Sequence, residues 1–130
     1  MSARFEAVRP DGMPEPVPPY SHVVVSGDVV AVSGQMPIDE DGTFLAEAPF
    51  EGQARQVFRN LERCLAAAGC TFADVFKVGA FLADLGDVDA FNALYREHFE
   101  PPFPARTTVQ AALIGPNTLI EVDAWARVPS

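Results

Sequence analysis

This sequence predicts a two-layer α+β fold, on three observations. Two segments place apolar residues at helical spacing on one side only, so each needs a sheet face to cover it. Five other segments have the alternating or β-branched character of strands. Their order is β-β-α-β-α-β-β, with no internal repeat. At 130 residues the chain can bury one core, and it reads as a single domain, 1–130, that includes a proline-rich stretch at 1–19.

Residues 10–19, PDGMPEPVPP, carry too much proline for a helix or a central strand. HVVVS and VVAVS then flank Gly27-Asp28, a turn dipeptide that makes them a hairpin. PIDEDGT is a turn and loop. From about Pro49 to Ala68, Ala54, Val57, Phe58, Leu61, Leu65 and Ala68 share a helical face. Arg55, Arg59, Glu62 and Arg63 form the solvated side, and Gly69 stops the helix. VFKVGAFLAD, residues 75–84, reads as a strand. Asp87 caps a second helix that runs to about Phe99, with Val88, Phe91, Tyr95 and His98 on one stripe. PPFP ends it. Arg106 to Leu113 and Leu119 to Val128 are the last strands, joined by IGPNT.

Composition is that of a globular chain, with 48% hydrophobic and 21% charged residues. A formal charge of −9 sets electrostatics against nucleic-acid binding, so none is expected. Cys64 and Cys70 form no CxxC pair and read as small hydrophobes in a reducing compartment. The N-terminus lacks the apolar core of a signal peptide, and no apolar run approaches the ~18 residues of a membrane span. A cytoplasmic protein without membrane contact is therefore expected. His22 and His98 have no partner at ligand spacing, so no metal site is expected.

Strand parity points to a functional face. Ile120, Val122, Ala124, Ala126 and Val128 share one side of the last strand, and Leu119, Glu121, Asp123, Trp125 and Arg127 the other. In the preceding strand Thr107, Val109, Ala111 and Leu113 alternate with Arg106, Thr108 and Gln110. With the apolar sides against the helices, Arg106, Thr108, Gln110, Glu121 and Asp123 share the outer face, together with Leu119, Trp125 and Phe81. Such mixing of large apolar groups with charges suits a subunit interface or a binding cleft.

PPYSH at 18–22, VSGQMPID at 32–39, QARQVFRNLERCLAAAG, KVGAFLADL, FNALYREHF, FPARTTVQ and IEVDAWA together resemble the RidA (YjgF-like) family. The resemblance runs in order from about Tyr20 to Ala126. It implies a chorismate-mutase-like fold, a mixed sheet with two helices on one face, and a homotrimer whose sheets line a barrel with clefts between subunits. It also implies hydrolysis of reactive 2-enamino and 2-imino acids, such as 2-aminoacrylate and 2-iminobutyrate, to 2-keto acids and ammonia, with no cofactor. By the same resemblance Arg106 of PAR binds the substrate carboxylate, and Glu121 of IEV handles the imine nitrogen or the attacking water. Tyr20, Ser33 of SGQ and Asn92 of FNALY match further cleft positions. Thr108, also placed in the cleft, stands where many deaminase members have a cysteine, and PPYSH replaces a GPYSQ-like segment.

These residue types suit that chemistry. A rigid guanidinium fork holds a planar carboxylate through two parallel hydrogen bonds, which lysine cannot reproduce. A carboxylate beside the imine carbon can move protons between water and nitrogen. A second reading uses the same cleft without catalysis, as a small-carboxylate-binding or protein-interaction module. Arg106 serves both readings of a small ligand, whereas Glu121 matters chiefly to catalysis.

Overall fold

The computed structural model describes residues 4–130; the first three residues of the expected domain lie outside the described residues. Six strands and two α-helices alternate along the chain. They are β1 (Glu6–Val8), β2 (Val23–Ser26), β3 (Val29–Gln35), α1 (Phe50–Ala67), β4 (Val75–Leu82), α2 (Val88–His98), β5 (Ala105–Gln110) and β6 (Ile120–Arg127). The strands form one sheet in the order β1-β2-β3-β6-β4-β5. Only β4 and β5 run parallel, joined through α2, so the sheet is mixed.

Local chemistry accounts for most of these elements. Val23, Val30 and Val32 turn inward from the hairpin, and Gly27 takes φ 62 at its tip, a left-handed conformation that glycine adopts without steric cost. α1 lays Ala54, Val57, Phe58, Leu61 and Leu65 across β3 and β6 and ends where Gly69 takes φ 77. Phe58 packs against Phe91 and Tyr95 of α2, at centroid distances of 6.1 and 6.5 Å. Burying a side chain of that size stabilises the fold by ~1.5–3 kcal/mol. Both cysteines are free and buried in this core. No described helix is long and apolar enough to cross a membrane.

Three polar residues of α1, Gln53, Gln56 and Asn60, are buried as well, and two of them hold loops. Gln53 donates to Asn117 O at 2.9 Å and accepts from Leu119 N at 2.9 Å. Asn60 donates to Met36 O and Ile38 O, at 3.1 and 2.9 Å. The arginine side of α1 is less uniform than its spacing implies. Arg55 bridges Glu51 and Glu97 in the open, whereas Arg63 turns back to Glu40 at 2.8 Å.

Three expectations need correction. β1 was not foreseen, because three residues show too little alternation to signal a strand. Asp87 does not cap α2 with its side chain: its φ of −88 and ψ of 0 depart from the extended cap geometry. Asp84, which is extended, instead accepts from Gly86 N at 2.7 Å and caps the short 3-10 turn leading into the helix. The third correction concerns β5. It pairs with β4, not β6, and Val78 lies opposite Arg106, Gly79 opposite Thr107 and Ala80 opposite Thr108. Val78 and Ala80 are core residues, so Arg106, Thr108 and Gln110 point to the helix side and Thr107 and Val109 to the outer side. β5 is an edge strand with little burial on either face, so apolar content does not distinguish its two sides.

Candidate active site

Two clusters contain the residues singled out above, and the sheet separates them. The first lies on the outer face around β6. Glu121 and Asp123 alternate there with the core residues Ile120, Val122 and Ala124, flanked by Leu119 and Trp125. Each carboxylate lies over a glycine of a neighbouring strand. A Cβ at Gly34 would collide with the Glu121 carboxylate, and one at Gly79 with that of Asp123. Gly34 belongs to a bulge between Val32 and Gln35, where Ser33 and Gly34 together span the single residue Asp123 of β6.

Burial pushes the Glu121 carboxyl above the usual carboxylate range, and the Asp123 charge adds to that rise. Asp123 is raised by burial too, against the opposing pull of the Gly79 backbone and Lys77. Tyr20 stands close enough to Glu121 for that carboxylate, after burial, to raise the phenol. Ser33 donates to Ser21 O at 2.6 Å. Tyr20, Ser33, Asp123 and Trp125 line one open depression of about 520 Å3. The Cys64 thiol nearby is buried and pushed up to about 12, which removes it as a nucleophile.

The second cluster is at the β5 edge, on the helix side. The Arg106 guanidinium lies over the Tyr95 ring at 4.8 Å and the Phe91 ring at 5.2 Å from their centroids. Among the described residues it pairs with no carboxylate. Asn92, Tyr95, Arg96, Phe103, Pro104 and Arg106 line a cavity of about 240 Å3. Asn92 Oδ1 is buried there without a hydrogen-bond partner, and Thr108 Oγ1 is likewise unpartnered. The guanidinium and the Thr108 hydroxyl can donate to an anion, whereas Asn92 Oδ1 is an acceptor and suits an N–H group.

The six predicted site residues therefore divide as Tyr20, Ser33 and Glu121 on one side and Asn92, Arg106 and Thr108 on the other. The expectation that Arg106 and Glu121 share a face is overturned, since β4 lies between their strands and their side chains leave opposite sides. Gly34 was not foreseen as part of the site, and Asp123 was expected on the outer face without a role. A lone glycine inside a strand run is the one signal that marks such a close approach.

Residues 11–128 match the family described as Endoribonuclease L-PSP. A 2-iminobutanoate/2-iminopropanoate deaminase of Dermatophagoides farinae is 34% identical over 111 residues, 85% of this chain and 87% of that protein. The 3-aminoacrylate deaminase RutC of Acinetobacter baylyi is 35% identical over 123 residues, 95% of this chain and 98% of that protein. The crystal structure of RidA from an Antarctic Psychrobacter species superposes with a TM-score of 0.87 at 31% identity, covering 95% of this chain and 99% of that one. On the matched motifs, the shared fold and these relatives together, the chain belongs to the RidA (YjgF-like) family.

Proposed function

We propose that this protein hydrolyses reactive 2-imino and 2-enamino acids to 2-keto acids and ammonia. The observation that carries this reading is Arg106: an unpaired guanidinium on an aromatic platform, beside the unsatisfied Asn92 amide, in a chain of net charge −9. The deaminase names of the relatives support the same reaction class.

In this mechanism Arg106 holds the substrate carboxylate in a bidentate grip, and Asn92 and Thr108 supply further polar contacts. Water adds its oxygen to the imine carbon while Glu121 takes one water proton and passes it to nitrogen. The tetrahedral intermediate then gives its hydroxyl proton, through Glu121, to the amino nitrogen as the C–N bond breaks, so that ammonia leaves and the keto acid remains. A carboxyl raised by burial suits this exchange, because it gives and takes protons nearer to neutral pH. Tyr20 and Ser33 line the approach. Orientation plus one acid–base group contributes ~10²–10⁴-fold to such a step. No electrons or carried groups are exchanged, so the chemistry asks for no cofactor.

Arg106 and Glu121 leave opposite sides of one sheet, so a complete site takes its two halves from two copies. A closed homotrimeric ring of this chorismate-mutase-like domain, its outer faces lining a barrel, repeats that junction three times. The half-exposed Trp125 and the outward Phe81 and Val109 are the surfaces such a ring covers. A ribonuclease reading of the family description has little support here. His98 is stacked on Phe58 and bonded to Leu94 O, and His22 is bonded to Pro14 O, so each is occupied within its own surroundings.

Keto-acid release from 2-iminopropanoate or 2-aminoacrylate, made in place by an oxidase or dehydratase, tests the activity directly. Inactive Arg106→Ala and Glu121→Gln chains, unfolded together and refolded at equal amounts, test the shared site. Random mixing restores about a quarter of the sites, since each junction needs one intact half from each side. No recovery in proven mixed trimers refutes the shared site, and no release by wild type refutes the activity.

A further inference from the structure

Apart from Tyr20 at its edge, the cavity between the proline-rich segment and β3 has no place in the mechanism above. We propose that it is the side-chain subsite, and that it selects imino acids with a large uncharged apolar side chain, branched aliphatic or aromatic. This inference rests on the deaminase reading. Its volume is about 400 Å3. A cavity of ~150 Å3 already admits a benzene ring, so a methyl or ethyl group would leave most of this one unfilled.

Position and chemistry both favour that occupant. Gly34 forms part of the cavity wall and carries the Glu121 carboxylate directly above it, while Tyr20 is shared with the outer-face depression. A substrate with its imine carbon at Glu121 therefore has this space beside it for the group on the next carbon. The lining is largely apolar, including Met13, Val17, Ile38, Phe44 and Ile114. Most of its charged groups are met by neighbours: Glu15 pairs with Arg9, Arg63 Nη2 with Glu40, and Asp39 Oδ1 accepts from Asp41 N and Thr43 N, which leaves Arg63 Nη1 as a buried donor without a partner. A basic side chain would find no free carboxylate pair to join, and an acidic one would meet a single donor on a guanidinium that Glu40 already neutralises.

The walls are also fixed in advance. Prolines limit the segment's freedom, Met13 is anchored against the core, and His22 Nε2–H donates to Pro14 O at 3.0 Å. Asn60 holds the facing loop through Met36 O and Ile38 O. Val17 and Ile114 are 98% and 75% exposed, apolar groups at the cavity that a substrate side chain would cover.

The test compares kcat/KM for 2-imino-4-methylpentanoate and 2-iminopropanoate, each made in place by an amino-acid oxidase. Wild type should favour the larger substrate by about tenfold or more, the range in which an apolar pocket discriminates. Ile38→Trp, which fills the cavity, and Ile114→Asp, which places a charge on an exposed loop without touching the core, should each cut that preference about tenfold. Turnover of both substrates without preference, or a preference that neither variant moves, overturns the subsite and leaves the deaminase reading standing. If neither imino acid is turned over, the deaminase reading fails, and calorimetry with 4-methyl-2-oxopentanoate and pyruvate decides the subsite. Tighter binding of the larger keto acid, lost in Ile114→Asp, upholds it. Equal binding, or none, overturns it.

Discussion

At the β5 edge the Arg106 guanidinium stands exposed on two aromatic rings, whereas at the centre of the sheet two carboxylates lie half-buried over glycines. The edge leaves its guanidinium without a carboxylate partner, open to a planar anion. The centre does the reverse: it withdraws water from Glu121 and sets Asp123 beside it, so its proton is held more tightly. On the proposed mechanism the first region binds and the second exchanges protons. The difference teaches where each function belongs in a sheet, with the permanent charge at the rim and the tunable acid where neighbouring strands control its solvation.

Each half can be broken separately. Glu121→Gln keeps the shape and removes the proton carrier, so kcat should fall ~10²–10⁴-fold while keto-acid product still binds within about threefold. Calorimetry beside steady-state rates reads both; equal losses in each would put Glu121 in binding. Arg106→Lys keeps the charge and loses the fork. There kcat/KM should fall about 100-fold and product binding should fall with it, while circular dichroism stays unchanged.

The glycines offer a finer cut. Gly34→Ala should push the Glu121 carboxylate aside and cost about 10–100-fold in kcat, as a misplaced catalytic group does. Gly79→Ala displaces Asp123 instead and should lose several-fold less. Equal losses in the two variants would show that Asp123, too, takes part in the chemistry. The smallest effect is on stability. Asp123 has its folded-state carboxyl raised, so ionisation opposes folding and stability declines as pH rises from below the ordinary carboxylate range through the raised one. Asp123→Asn should therefore unfold at higher denaturant than wild type near neutral pH, with the gain shrinking in acid.

What the sequence reveals is what neighbours in sequence decide. Valine alternation around Gly27-Asp28 and the three-and-four spacing of Val57, Phe58, Leu61 and Leu65 identify their elements without knowledge of partners. Arg106, Glu121, Tyr20, Ser33 and Asn92 stand out by motif. Their division between the two sides of the sheet does not, because that depends on β5 pairing with β4 and on the parity of an edge strand. There Val109 turns outward and an arginine stem covers the aromatic core. The bulge at Gly34 is equally invisible before β3 meets β6. Asp87 looked like the cap because it directly precedes the helix, yet backbone angles gave capping to Asp84.

The strand that follows all the others along the chain occupies the middle of the sheet, between β3 and β4. During synthesis, a nascent chain that has reached Thr118 still has two unconnected strand groups with no seam to join them. Folding must wait for Ile120–Arg127 to arrive, and the long closures this requires make it a slow step. Until then Val32 and Val78 face a gap, and both open edges remain available to other chains. The face that carries Glu121 and Asp123 is thus completed in the same event that closes the protein.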